Sequence, residues 1–284
     1  MPELEKEKHY NILFWNCHKK NNEDYFQVFL KDLLSSENVD VFCLAECQDS
    51  SQEQINEFIL NISPLNKPYQ FVGSSDKKKD TQMRVFSLLP SAACSVVKKK
   101  QRYINVKLFK KIEIVFIHLK SKISTDLETK IEEDKDVLVD VYKGCNSPKF
   151  FMGDFNSSPY SSSLLHSRVF NSIRIGENDV KGARKEMYNH KRRVNPSWNI
   201  LGKSSFVNTS PLGSFFYTAS NFSNIGWELL DQVVFDEELS DFYVEDSFQV
   251  LSSNSKNVKL TDVKGRINSD YSDHLPICFS IKGI

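Results

Sequence analysis

The chain is punctuated by short apolar runs that each stop at a polar side chain, and this pattern constrains its fold more than any other feature. Ile12-Leu13-Phe14 runs into Trp15-Asn16, and residues 41–44 lead to Glu46. Residues 114–117 end at His118, and Phe150-Phe151-Met152 runs into Gly153-Asp154-Phe155-Asn156. Asp231 interrupts the apolar stretch 229–235, and Ser272-Asp273-His274 stands just before Leu275-Pro276-Ile277. Short continuous apolar runs read as buried strands. Carboxylates, amides and imidazoles at the ends of such strands are placed to converge.

Strands and amphipathic helices alternate in the first half. Residues 10–17 read as a strand, and Phe26, Phe29, Leu30, Leu33 and Leu34 then recur at helical spacing. Residues 39–44 form a central strand, and 52–62 a helix with Ile55, Phe58, Ile59 and Ile62 on one face. From residue 71 to 119 consecutive strands follow, with candidates at 83–89, 92–97, 103–109 and 112–119. A helix is expected next, opened by the capping pair Thr125 and Glu128, with Leu127, Ile131, Leu138 and Val141 as its buried stripe. The second half repeats the scheme more loosely: a strand at 149–152, a helix near 161–167, and strands at 214–218, 230–235, 247–251 and 274–281. The polar stretch 178–195, with a basic cluster at Lys191, Arg192 and Arg193, reads as a long surface loop or lid. The motifs span nearly the whole chain, so a single domain over residues 1–284 is expected, with 1–9 as a flexible tail.

Bulk properties exclude some classes. The 284 residues are 40% hydrophobic and carry no formal net charge, so no global pull toward nucleic acid exists, although local patches can supply one. No apolar run reaches the roughly 20 residues of a membrane span. Residues 1–9 are charged and lack the apolar core of a secretory signal. Most of the six cysteines lie in apolar strand-like runs, as reduced thiols do in a cytoplasmic protein, and no second pair completes a zinc site around Cys43 and Cys47. A monomer is expected.

The polar strand ends suit metal-assisted hydrolysis of a phosphodiester. That bond resists attack because its charge repels nucleophiles and its leaving alkoxide is poor. Magnesium takes oxygen ligands, and one or two carboxylates hold it. Glu46 and Asp273 are the natural carboxylates, with Asn16 as an amide neighbour. Asp154 is placed to orient or deprotonate the attacking water, and Asn156 to hydrogen-bond a phosphate oxygen. His274, with its tautomer fixed by Asp231, is suited to phosphate binding or proton transfer. His118 is placed to stabilise the opposite side of the developing charge.

These motifs, in this order, resemble the endonuclease/exonuclease/phosphatase superfamily. The Asn after the first strand matches Asn16, and the metal-binding Glu matches Glu46. The strand-end His matches His118, and the Gly-Asp-x-Asn loop matches Asp154 and Asn156. The late Asp matches Asp231, and Ser-Asp-His matches Asp273 and His274. The resemblance implies a four-layer α/β sandwich, two mixed β-sheets packed face to face with helices outside, and hydrolysis dependent on Mg²⁺ or Mn²⁺ at the sheet ends. It implies catalytic roles for His118, Asp154, Asn156, Asp231 and His274, substrate contacts from Asn16, Asn156 and His274, and metal ligation by Glu46, Asp273 and Asn16.

The branch of the substrate is less constrained. Leu230-Asp231-Gln232-Val233 lacks the Trp-Cys-Asp-Arg stretch of the inositol polyphosphate 5-phosphatases and the Asp-Tyr common in abasic endonucleases. Residues 195–202, with Gly213-Ser214-Phe215-Phe216-Tyr217 and Trp227, are similar to a bacterial subgroup. Trp198, Phe215, Phe216 and Trp227 either stack on a base or pack a core. The lysine runs 77–79 and 98–100, with Arg102, either follow a phosphate backbone or protect a sheet edge. His166 and His190 read as surface residues, Arg84 as a strand residue near the site, and His18 lies close to Asn16 without a role. A nuclease acting on DNA or RNA is the leading expectation. A hydrolase of a small or lipid-linked phosphoester and a silent binding member of the fold are the alternatives.

Overall fold

β1 (His9–Asn16) and β2 (Val39–Ala45) run parallel because helix α1 (Asp24–Ser36) carries the chain back between them. In the computed structural model, which describes residues 8–77, 81–121, 126–173, 191–202, 213–217 and 226–283, α1 buries the expected Phe26, Phe29, Leu30, Leu33 and Leu34. Helix α2 (Gln52–Ile62) begins at a capping box: the Ser51 hydroxyl accepts from the Gln54 N–H, and the Gln54 side chain accepts from the Ser51 N–H. Then come β3 (Gln70–Ser74), β4 (Arg84–Ser87), β5 (Cys94–Lys100), β6 (Tyr103–Leu108) and β7 (Ile112–His118). β3 was not among the expected strands, because Gln70, Gly73 and Ser74 interrupt its apolar signal.

Helix α3 (Leu127–Tyr142) departs from expectation at its start and on its buried face. Asp126 caps it by accepting the Thr129 N–H; Thr125, the expected cap, lies outside the described residues. Its buried positions are Lys130, Asp134, Leu138 and Val141, while Leu127 is exposed. The chain continues through β8 (Lys149–Asp154), α4 (Ser162–Leu165), β9 (Ser172–Ile173), β10 (Arg193–Val194) and α5 (Trp198–Gly202). It ends with β11 (Phe215–Tyr217), β12 (Gly226–Glu228), β13 (Asp231–Asp236), a 3₁₀ turn at Glu237–Phe242, β14 (Gln249–Val250) and β15 (Ile277–Lys282).

Two mixed sheets result. One has the order β14-β15-β1-β2-β4-β3, the other β5-β6-β7-β8-β13-β10-β9, and β11-β12 forms a separate hairpin. Alternation along β1 shows how they stack. Ile12 and Phe14 face a central core shared with Ile114, Phe116, Phe150 and Met152 of the other sheet. Leu13 and Trp15 face the opposite way, into a layer covered by α1 and α2. On the far side Val115, Ile117 and Phe151 pack under α3 with Leu138 and Val141. The architecture is therefore the four-layer α/β sandwich, and strands buried on both faces explain the continuous apolar runs.

Three further expectations are corrected. His9, expected in a tail, opens β1 opposite Lys282. Residues 178–190 of the expected surface loop lie outside the described residues, but its end is strand β10, where the buried Arg193 guanidinium stands 3.1 Å from Asp236 of β13. The last strand starts at Ile277 rather than 274, after Pro276, which has no N–H to give to a ladder. Lys98, Lys99 and Lys100 lie on β5, an edge strand, and Lys98 is bound to Asp140 of α3 at 2.9 Å, which favours edge protection over phosphate contact.

Candidate active site

Register brings the first three groups together. The parallel pairing of β7 and β8 sets His118 opposite Asp154, and the antiparallel pairing of β8 and β13 sets Asp154 opposite Asp231. Gly153 makes this close approach possible: at φ 145° a Cβ there would stand 2.1 Å from the Ile117 carbonyl oxygen. The other sheet supplies the facing rim. β1 ends at Asn16 opposite Ala45, and Glu46 follows directly with φ 53°. His274 arrives from the segment before β15 and is fixed by its backbone. Its carbonyl accepts from Trp15 Nε1 at 2.9 Å and its N–H donates to Ser272 Oγ at 3.1 Å. That hydroxyl in turn donates to the Asn16 carbonyl at 2.6 Å.

Six of the eight site residues expected from sequence line one cleft of about 360 Å³, and the other two, Asn16 and Asp231, contact it through Glu46 and His274. Glu46, His118, Asp154, Asn156, Asp273 and His274 line it; Asn16 and Asp231 stand behind. His274 Nδ1 lies 2.7 Å from Asp231 Oδ2. Its Nε2 is 3.9 Å from Asp154 Oδ2, and His118 Nε2 is 3.6 Å from the same oxygen, so Asp154 sits between two imidazoles. His118 Nε2 also stands 3.5 Å from Glu46 Oε1, which accepts from Asn16 Nδ2 at 3.0 Å. Asn156, at φ 50°, turns inward: its amide nitrogen donates to Asp154 Oδ2 and to the Leu119 carbonyl, both at 3.0 Å, and its N–H donates to Asp154 Oδ1 at 2.7 Å. In this geometry Asn156 orients Asp154, and contact with a phosphate oxygen requires its amide to turn.

Burial and charge set the protonation states. Burial alone would lower the His274 imidazole, but the Asp231 and Asp154 carboxylates outweigh it and raise it to about 10. Burial pushes the Asp154 carboxyl up to about 7, against the pull of His274. Burial likewise pulls His118 down to about 4, so it is neutral at pH 7. Burial would raise Glu46, but the hydrogen bond from His18, the nearby His118 and the Asn16 amide hold it at about 2. The cleft thus combines an imidazolium, a neutral imidazole, an ionised glutamate and a carboxyl poised near neutrality.

Two sets of groups are candidates for holding a cation. Asp154, Asp231 and His274 offer ligand atoms within 4.8 Å of one another. The 2.7 Å Asp231–His274 contact is a hydrogen bond with a proton between its atoms, so this set reads as proton-handling machinery. Glu46 and Asp273 both line the cleft, and Glu46 Oε2 and Asp273 Oδ1 each lie 3.4 Å from His18 Nδ1 between them. Their carboxylate oxygens are hard donors, the chemistry that suits a divalent cation.

Lys120 and Tyr217 line the cleft without an assigned role in the sequence; Arg102 stands beside Lys120 on the basic side, and Phe215 beside Tyr217 on the aromatic side, its ring 4.9 Å from the His274 ring. A strand was expected at 214–218, but not which of its side chains face the cleft. Phe216 instead packs on Trp227, and Trp198 on Tyr160. Arg84 does not reach the cleft; its guanidinium holds the loop after Glu46 through the Gln48 carbonyl and Ser50 Oγ.

No curated protein matches the chain in sequence. Similar solved structures share its fold at low identity. An AP endonuclease from Archaeoglobus fulgidus is 16% identical, with a TM-score of 0.58 over 97% of this chain and 100% of that one. The 3′ phosphatase NExo from Neisseria, bound to product DNA hairpin, is 12% identical, with a TM-score of 0.55 over 95% and 98%. An endonuclease/exonuclease/phosphatase family protein from Bacteroides thetaiotaomicron is 12% identical, with a TM-score of 0.56 over 98% and 99%. The sequence itself matches the Endonuclease/Exonuclease/phosphatase family over residues 13–274, which takes in every strand-end motif. With fold, motif order and family match in agreement, the chain belongs to the endonuclease/exonuclease/phosphatase family.

Proposed function

We propose that the chain is a divalent-metal-dependent nuclease that hydrolyses phosphodiester bonds of DNA or RNA. One observation carries this reading: Asp154 lies between His118 and His274 on one rim, facing the carboxylates of Glu46 and Asp273 on the other. Asp154 takes a proton from the attacking water as its oxygen bonds to phosphorus and the ester P–O bond breaks, and the leaving alkoxide departs with the bonding pair and takes a proton from solvent. His274, held cationic by Asp231, balances negative charge on the phosphoryl oxygens, and neutral His118 donates a hydrogen bond from the other side. Glu46 and Asp273, with Asn16 orienting Glu46, would hold the cation, Mg²⁺ or Mn²⁺, which would supply positive charge against the phosphate. Arg102 and Lys120 give a flanking phosphate a partner, and Phe215 and Tyr217 give a base or sugar an apolar wall. Nucleic-acid repair and processing activities in the neighbours' names support the same substrate class.

A cytoplasmic location is part of the proposal, supported by six free thiols. No helix among the described residues is long and apolar enough to cross a membrane.

The test is cleavage of end-labelled single-stranded DNA, duplex DNA and RNA by the purified chain with Mg²⁺ or Mn²⁺, beside Asp154→Ala and EDTA controls. Metal-dependent cleavage abolished in the variant is the expected result. A small phosphoester is the second reading, favoured by the zero net charge and by a cleft of about 360 Å³. No cleavage of any polymer by folded protein would select it. If polymers are cut, affinity should fall steeply with salt, as it does when several phosphates are gripped.

A further inference from the structure

We propose that Ser214 positions the Asp231–His274 pair: its hydroxyl holds the backbone of Asp231, and its carbonyl holds the backbone beside His274. The inference deepens the reading above and rests on the role given there to His274. Ser214 is fully buried and stands immediately before β11. Its Oγ accepts from two successive backbone groups, the Leu230 N–H at 3.1 Å and the Asp231 N–H at 2.9 Å. Its carbonyl accepts from the Leu275 N–H at 2.7 Å, and its own N–H donates to the Glu228 carbonyl at 2.9 Å. Phe215, the next residue, bridges His274 in antiparallel register. One serine thus ties together the two segments that carry the pair.

The two partners are held differently. The His274 backbone has further anchors in Trp15 Nε1 and Ser272 Oγ. The Asp231 side chain is buried, and its Oδ2 meets His274 Nδ1 at 2.7 Å. Its Oδ1 is buried with no hydrogen-bond partner among the described residues. No second side chain orients this carboxylate, so its place follows from the backbone at the start of β13. There the Leu230 carbonyl accepts from the Phe155 N–H at 2.9 Å, and the Leu230 and Asp231 N–H groups both go to Ser214.

Serine suits this duty. A hydroxyl oxygen has two lone pairs and takes both N–H groups, which would be costly to bury unpaired. Gly213 lets the turn press onto β12: a Cβ there would stand 2.4 Å from the Glu228 carbonyl oxygen. The same hairpin lines the cleft with Phe215 and Tyr217, so the aromatic wall and the clamp on the pair belong to one element. A displacement of about 1 Å in a positioned group is enough to slow a reaction about a hundredfold.

The experiment compares Ser214→Ala with Ser172→Ala, which removes an equally buried, hydrogen-bonded hydroxyl from β9, away from the cleft. kcat and KM are measured on the substrate that the cleavage assay identifies, for the single variants and for Ser214→Ala combined with Asp231→Asn. NMR follows the hydrogen-bonded Nδ1 proton of His274, assigned by its change in Asp231→Asn. The expected result is a kcat about a hundredfold lower in Ser214→Ala, with KM near wild type and Ser172→Ala fully active. Added to Asp231→Asn, Ser214→Ala should cost little more, since both act through one pair. If Ser214→Ala does not fold, Ser214→Cys, close in size and a weak acceptor, carries the same comparisons. Losses that multiply in the double variant, or a kcat no lower than that of Ser172→Ala, would overturn the positioning role. If wild type cuts no substrate, the nuclease reading fails, and the ring proton alone decides. Altered in Ser214→Ala, it upholds the clamp on the pair; unchanged, it overturns that as well.

Discussion

Asp154 and His274 share one neighbourhood but are pushed in ways that give them complementary charge states. Hydrolysis by the proposed route needs Asp154 as carboxylate and His274 as imidazolium. Asp154 is raised to about 7, so the rate should fall as pH drops through about 7 and the base becomes protonated. His274 is raised to about 10, so its cation persists through neutrality and the rate should fall as pH rises through about 10. The expected profile is a bell with a plateau between those limits. Asp231→Asn removes the charge that sustains the imidazolium. Its alkaline limb should move to lower pH, and kcat should fall about 10²–10⁴-fold. An alkaline limb unmoved by Asp231→Asn would show that another group sets it.

At the scale of elements, α3 anchors the loops that follow β7 and β8. Lys130 is fully buried; its Nζ donates to the Lys120 carbonyl at 3.0 Å and to the Phe155 carbonyl at 3.2 Å, and pairs with Asp134 at 3.2 Å. Lys130→Met would leave Asp134 buried without its partner and should cost about 3–5 kcal/mol in urea unfolding. Adding Asp134→Leu should restore most of that stability, yet turnover should stay low because the two loops remain untethered. Recovery of full activity in the double variant would refute the tether. This anchor was illegible in the sequence: a Lys and an Asp four apart on a helix are ordinarily solvated, and the expected stripe of Leu127, Ile131, Leu138 and Val141, right at its last two positions, left both out. β3 was missed for the reverse reason, since its sequence is too polar to announce a strand. The candidate catalytic groups were legible because most stand at or beside the end of an apolar run buried on both faces. His18 was visible beside Asn16, but its approach to Asp273, far along the chain, depends on the folded arrangement.

Across the whole molecule, neither sheet holds a complete site. Glu46 comes from the rim of one and Asp154 from the rim of the other, so a cation bound at Glu46 and Asp273 should select the folded state. Saturating Mn²⁺ should raise the unfolding free energy, by about 2.7 kcal/mol at a hundredfold excess over Kd, and EDTA should reverse the gain. A thermal shift of the same size in Glu46→Gln would mean that the ion binds elsewhere. The indole of Trp15 spans this architecture in another way. It is fully buried against Phe26 under α1, yet its N–H is committed to the carbonyl of His274. Its emission is therefore wired to the backbone that carries the site histidine. In a Trp198→Phe/Trp227→Phe background, fluorescence would report the seating of His274 in real time, with no label attached.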